Sequence, residues 1–474
     1  MTKIRTYLLW IILSALHTYL FYELGTGVNA LLFSALTIAV VTLFHGLNNE
    51  KLWWLAASGH LISALSVALH SYPWSTAIYN LSFYTLAGYV VYVRSSLPIA
   101  IINSLYRSFF YSFIITVYSG FVDLLHVIFK SNSSFLAFRK TSLYIAPITV
   151  TAVFYFLYGA VNPDFFLTIN FPDWEFDGGI IAYTLFGLII ICPLFFPGNP
   201  GPLVAWDASK PNLLKRQYEK VKGRWFPILG LTYENKQGVI MFIMLNTLIA
   251  AFLVFNISQI FFPSLNYHPI GHSDQVHQGF EVLMLSIGAA IVLIMYYFRE
   301  NQNFYNKKDR LVKFATIWII LNGLLILFTC YKNILYVDAF GLTYKRICVF
   351  IGMLLTSIGL YLTLIKIYRV KTNWYLLRQN AWVLYFVFTS FGVVDWDRLI
   401  TWYNPNYAQF LDVNYILTLG NTQIPYMSEL LDAKDPRVIP YKAAIESKSV
   451  NMQLPTSWQA ETADSKWMPR KYKK

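Results

Sequence analysis

The sequence predicts an all-α fold: a polytopic integral membrane helical bundle of about 11–12 transmembrane helices carrying a small C-terminal soluble appendage. Three observations predict it. Hydrophobic residues make up 56% of the 474-residue chain and charged residues 13%, against the roughly one quarter of charged residues that covers a soluble surface. The apolar residues come in long runs between residues 6 and 396 rather than in alternating stripes, and about 20 apolar residues carry a helix across the hydrocarbon core. Tyr and Trp gather at the ends of the runs, as in Trp53-Trp54, Tyr72-Pro73-Trp74 and Tyr296-Tyr297, where an amphipathic ring suits the headgroup layer.

The runs placed as spans are 6–24, 28–45, 52–70, 73–93, 143–161, 178–196, 238–261, 276–298, 314–331, 346–368 and 380–395. The first is too long for a secretory signal and lacks a small-residue cleavage site, so it is taken as a span. Residues 98–129 form an apolar stretch of awkward length that holds Arg107, Asp123 and His126. Lys and Arg accumulate in cytoplasmic loops and so set the orientation. Lys3 and Arg5, Lys210 to Lys236, Arg299 to Lys313, and Arg369, Lys371 and Arg378 mark cytoplasmic segments, whereas the acidic stretch 162–177 marks an external one. On this scheme the N-terminus is cytoplasmic, 98–129 enters and leaves on the cytoplasmic side, and the tail lies outside.

A transmembrane domain therefore spans 1–396, and an extramembrane tail of ordinary soluble composition spans 397–474. Its polar, basic end beyond about 447 is expected to be poorly ordered. The net charge of +13 follows from basic loops. With no basic soluble module, nucleic acid is not a partner. Cys192, Cys330 and Cys348 show no metal-binding spacing and read as packing residues. The Phe196–Pro202 stretch lacks the Gly-Lys-Ser/Thr end of a phosphate loop, and no nucleophile elbow, dinucleotide fingerprint or kinase set is present.

Polar groups within apolar spans are costly and so are candidates for function. His60, Asn246 and Asn322 lie within spans, and interhelical hydrogen bonding is the plainer account of the asparagines. The densest polar group is His268, His272, Asp274, His277 and Glu281. Its histidines are weak metal candidates, because the pattern is not HExxH and Pro269 and Gly271 break it. No bound metal or other cofactor is expected.

Several segments share an order: Leu245-Asn246, His277-Gln278-Gly279-Phe280-Glu281, Tyr336 to Arg346, Asp397-Arg398-Leu399-Ile400 with Asn404, and Leu411 to Leu417. Order and spacing resemble the bacterial polytopic membrane family catalogued as domain of unknown function 4173, and its relative 4153. The resemblance covers roughly 143–431, and its most specific piece is Gly341, Leu342, Thr343 and Arg346. His277 departs from the pattern by standing where an arginine is usual. The resemblance implies a bacterial cytoplasmic (inner) membrane and carries no established activity.

His277, Glu281, Asp338, Arg346, Asp397, Asn404 and Asp412 would then form a polar cluster on one external face. Arg346 at an external helix end is expected to pair with a carboxylate or a lipid phosphate. The function expected is non-enzymatic: an envelope sensor or assembly factor whose partners are membrane lipids and an envelope protein. A transporter of a small or lipid-linked solute and a membrane-embedded transferase on a lipid-linked substrate are the alternatives.

Overall fold

Hydrocarbon offers a backbone amide no partner, so a spanning segment bonds within itself. Every regular element among the described residues is accordingly a helix. The computed structural model describes residues 3–90, 95–128, a few positions from 147 to 158, 178–198, 201–216, 230–261, 272–450 and 457–467, without the side chains of 111–112, 121–128, 259–261, 272–284 and 421. In chain order the helices are α1 (Lys3–Phe21), α2 (Val28–His45), α3 (Lys51–Leu69), α4 (Pro73–Gly88), α5 (Leu97–Tyr106), α6 (Phe113–Ile128), α7 (Gly178–Phe195), α8 (Pro202–Ala208) and α9 (Leu231–Phe261). They continue as α10 (His272–Tyr297), α11 (Asp309–Phe340), α12 (Tyr344–Tyr368), α13 (Asn373–Phe391), α14 (Trp396–Tyr407), α15 (Val413–Thr418), α16 (Ile424–Asp432), α17 (Lys442–Val450) and α18 (Ala463–Trp467).

Among the described residues seven helices are long and apolar enough to cross a membrane: α1, α2, α3, α7, α9, α11 and α12. Counting a bent pair makes eight. That pair is the awkward 98–129 stretch, where α5 and α6 meet at 47° across a π-helical turn, Arg107–Ser112. The expected span at 73–93 is shorter, because α4 stops at Gly88. The last expected span begins earlier than residue 380, at Asn373, where the Thr372 hydroxyl caps the helix by accepting from the Tyr375 N–H. Most of the expected span 143–161 lies outside the described residues.

The chain divides into two units. In the first, residues 1–23 and 102–199, α1 packs on α7. Trp10 donates to the Leu188 carbonyl at 2.9 Å and Thr18 meets Thr184 at 3.0 Å. Arg107 donates to the Pro197 carbonyl. These bonds tie helix to helix through small polar groups, as apolar packing alone cannot do when lipid is equally apolar.

In the second unit, residues 24–101 and 200–474, the polar groups of α2, α3 and α4 face one another. Trp53 donates to Thr42 at 2.9 Å, and His60 Nδ1, Ser63 and Ser82 form one buried cluster. Tyr385 on α13 sits against Gly59, where any side chain would collide, and donates to the Ala56 carbonyl. Helices α9 to α12 share an apolar core around Phe242, Ile294, Leu311, Trp318 and Met353. Their outer surfaces are also apolar: Leu248, Leu285 and Leu327 are each at least 66% exposed, which suits contact with lipid.

Helices α14 to α17 form a small folded cap with its own core of Val413, Ile416, Met427, Val438 and Ile445. A second cluster, Ile347, Ile400 and Leu419, joins the cap to α12. Beyond the limit of 447 expected for order, α18 and the turn before it rest on the bundle. The Val28 N–H donates to the Glu461 carbonyl at 2.9 Å, and a Cβ on Gly27 would strike the Ala460 and Glu461 backbone.

Candidate functional site

The Gly341 turn between α11 and α12 receives the cap. Gly341 has φ +79° and ψ 179°, a region open essentially to glycine alone. The bare backbone also lets Asn404 of α14 approach, since a Cβ there would lie 2.6 Å from the Asn404 amide. Asn404 Oδ1 accepts from the Leu342 N–H at 2.6 Å and Nδ2 donates to the Leu342 carbonyl at 3.0 Å.

Two more expected residues meet at this turn. Arg346 donates to the Phe340 carbonyl at 2.8 Å and to the Gly341 carbonyl, and its guanidinium lies 4.1 Å from the Tyr336 ring centre. Its hydrogen-bond partners among the described residues are thus carbonyls at the negative end of α11, where a cation is favoured, and no carboxylate is among them. Asp397 is buried, accepts from the Tyr344 hydroxyl at 2.7 Å and from the Gly420 N–H at 2.7 Å, and so ties α12 to two parts of the cap.

Asp338 and Asp412 do not join this network among the described residues. Asp338 is exposed and accepts from Tyr403 at 3.4 Å, while Asp412 is exposed and caps α15 by accepting from the Tyr415 N–H. His272, His277 and Glu281 fall on α10 with their side chains outside the described residues, as His268 lies outside them altogether. Within the bundle, Asn246 donates across to the Phe314 carbonyl and Asn322 to Trp318 on its own helix, while His60 bonds Ser82 at 2.7 Å.

Beside the clamp the cap opens a cavity of about 530 Å³ whose lining includes Asp395, Arg398, Trp402, Tyr426, Glu429 and Asp464. Asp395 caps α14 by accepting from the Arg398 N–H at 2.9 Å, and its Oδ1 also accepts from Tyr72 at 2.9 Å and Thr422 at 3.3 Å. His70, just past α3, bonds Asp464 of α18 at 2.7 Å. Burial, the largest influence on His70, pulls it down. The bond to Asp464, the charges of Asp464 and Asp395 and a bond to the Val393 backbone outweigh it and hold the imidazole above its ordinary range. Burial, the largest influence on Asp464, acts with the Asp395 charge to hold its carboxyl above the ordinary range against the lowering by His70 and Arg398.

Sequence reasoning missed this group. His70 and Asp395 marked the ends of spans and Asp464 fell in a segment expected to be loose, and no spacing relates three positions so far apart. One local sign existed: Thr462 and Ser465 cap each other's N–H groups, a pairing legible in Thr462-Ala463-Asp464-Ser465.

A family model described as Domain of unknown function (DUF4153) matches residues 8–430. The match is to the relative of the family named from the motifs, and it takes in the N-terminal third, which had lain outside the expected 143–431 region. No curated protein and no solved structure matches the chain.

Proposed function

The chain belongs to the DUF4153 family, and from that premise we propose that this multi-pass membrane protein is a non-enzymatic recognition protein of the bacterial envelope, whose C-terminal cap docks a partner protein. The observation that carries the reading is the open cavity on the cap, lined by Arg398, Trp402, Tyr426 and Glu429 immediately beside the buried Asn404 and Asp397 anchors. A fixed, mixed-charge and aromatic-lined hollow suits a polypeptide segment better than an ion path, because Trp402 and Tyr426 supply broad contact area and the two charges supply selectivity.

An external placement of the cap is supported by charge. Lys210, Arg299, Lys366, Lys371 and Arg378 gather where α10 and α12 end and α13 begins, the end of the bundle opposite to the Gly341 turn. Basic groups favour the cytoplasmic side, which leaves the cap outside the cytoplasmic membrane. The test is a photoreactive phenylalanine analogue in place of Trp402 in intact cells. A discrete protein adduct that disappears in both Glu429→Arg and Arg398→Glu supports docking. An adduct indifferent to both changes, or none, refutes it.

A second reading, transport of a small solute, draws on His60, whose Nε2 is buried without a partner among the described residues. Flux into liposomes that falls in His60→Ala would favour it. Flux unchanged by that substitution would remove His60 as a carrier.

A further inference from the structure

We propose that His70, Asp395 and Asp464 bind a first-row divalent transition-metal ion that fastens α18 to the end of α3. One imidazole nitrogen and two carboxylate oxygens are offered here, all within 4.8 Å of one another. Zinc with bonds of about 2.0–2.2 Å spaces its tetrahedral ligands about 3.4 Å apart, so the donors reach it by side-chain shifts of about 1 Å, and this mixture of nitrogen and oxygen ligands suits zinc and its neighbours.

The unsatisfied chemistry of Asp395 points the same way. Its Oδ1 is fully engaged by Tyr72, Arg398 and Thr422. Its Oδ2 is buried and has no hydrogen-bond donor among the described residues. A buried carboxylate oxygen without a donor is costly, and a cation removes that cost directly. The Tyr72 and Thr422 bonds hold the carboxylate in place, as partners of metal-bound carboxylates do.

Side-chain exposures of 11% for His70 and 17% for Asp464 leave the donors sheltered, while the adjoining cavity, lined by Asp395 and Asp464, gives an ion a way in and room for a water ligand. The 2.7 Å bond between His70 and Asp464 is the proton-loaded form of the same site. On ion binding the shared proton leaves to solvent and the two atoms part to about 3.4 Å, the spacing of tetrahedral zinc ligands. The three donors come from a loop after α3, the cap's first turn and the far C-terminal helix, so one ion would bridge three separate parts of this unit.

The test uses the full chain in detergent, stripped with a chelator and titrated with zinc while free ion is measured by mass spectrometry. The expected result is one zinc per chain in the wild type. Binding should weaken at least about tenfold in His70→Gln and in Asp464→Asn, and stay unchanged in Glu446→Gln, an exposed carboxylate paired with Lys442 away from the ligands. Zinc should also protect residues 457–467 from trypsin in the wild type alone. No stoichiometric zinc in the wild type overturns the proposal, as does equal binding in both ligand variants. The wild-type titration decides the matter even if a variant does not fold. Zinc binding without a photo-adduct at Trp402 would refute partner docking only, and an adduct without zinc would refute this site only.

Discussion

Asn404 holds Leu342 by both of its backbone polar groups, accepting from the N–H at 2.6 Å and donating to the carbonyl at 3.0 Å. A primary amide is the side chain that offers one donor and one acceptor side by side. Asn404→Ala therefore leaves two backbone groups without partners and should cost about 2–4 kcal/mol. Thermal unfolding in detergent measures this, and trypsin should cut the cap of the variant at temperatures where the wild type resists. An unchanged melting temperature would show that the amide is not the anchor.

Gly341 and Gly46 both have positive φ, +79° and +68°, but their surroundings differ. A Cβ on Gly46 meets nothing within 4 Å, whereas one on Gly341 meets the Asn404 amide at 2.6 Å. Gly46→Ala should cost about 1 kcal/mol, the strain of a left-handed residue. Gly341→Ala should exceed it by at least about 2 kcal/mol, since it adds a clash to a conformation that only glycine readily adopts. Equal losses in the two variants would contradict the account of the turn.

Arg346 combines two carbonyl bonds with a position over the Tyr336 ring. Lysine keeps the charge but not the planar fork or the stacking. Arg346→Lys should cost about 1–2 kcal/mol in thermal stability and leave anionic-lipid binding unaltered. Normal melting with reduced lipid binding would instead favour the lipid phosphate expected from the sequence.

Asp397 accepts from Tyr344 and Gly420 on its two oxygens. Asparagine can still accept from the Gly420 N–H and donate to the tyrosine oxygen, so Asp397→Asn should cost only about 1–2 kcal/mol, the loss of charge assistance. Asp397→Leu removes both acceptors and should detach the cap, read out by protease sensitivity of residues 397–450. Similar behaviour of the two variants would mean that the carboxylate's hydrogen bonds do not hold it.

The membrane class was legible because it depends on composition and run length, quantities that survive without any knowledge of packing. That the Tyr336 to Arg346 segment lies at the same end as Asp397 and Asn404 was legible from the topology that the loop charges set, and the contacts of Leu342 with Asn404 and Tyr344 with Asp397 agree with it. Arg346's partner was not legible, because a reading of charges looks for an opposite charge and passes over carbonyls at a helix end. The docking of α18 was hidden by its polar composition, since Glu461 binds Val28 through its backbone and backbone bonds leave no compositional trace. His70, Asp395 and Asp464 converge only through the fold, so no local pattern could have announced them.

The most direct measurement of the central claim, a C-terminal chain clamped across one end of the bundle, is a disulfide between residues 25 and 460. The Cβ built on Gly25 lies 3.4 Å from that of Ala460, close to the spacing of about 3.5–4.5 Å that a disulfide requires. With Cys192, Cys330 and Cys348 replaced by serine, Gly25→Cys together with Ala460→Cys should close under mild oxidation and shift in a non-reducing gel, while either single variant should not. Two thiols that remain free and alkylatable in the folded double variant would contradict the docked C-terminal segment and the wall of the cavity that Asp464 supplies.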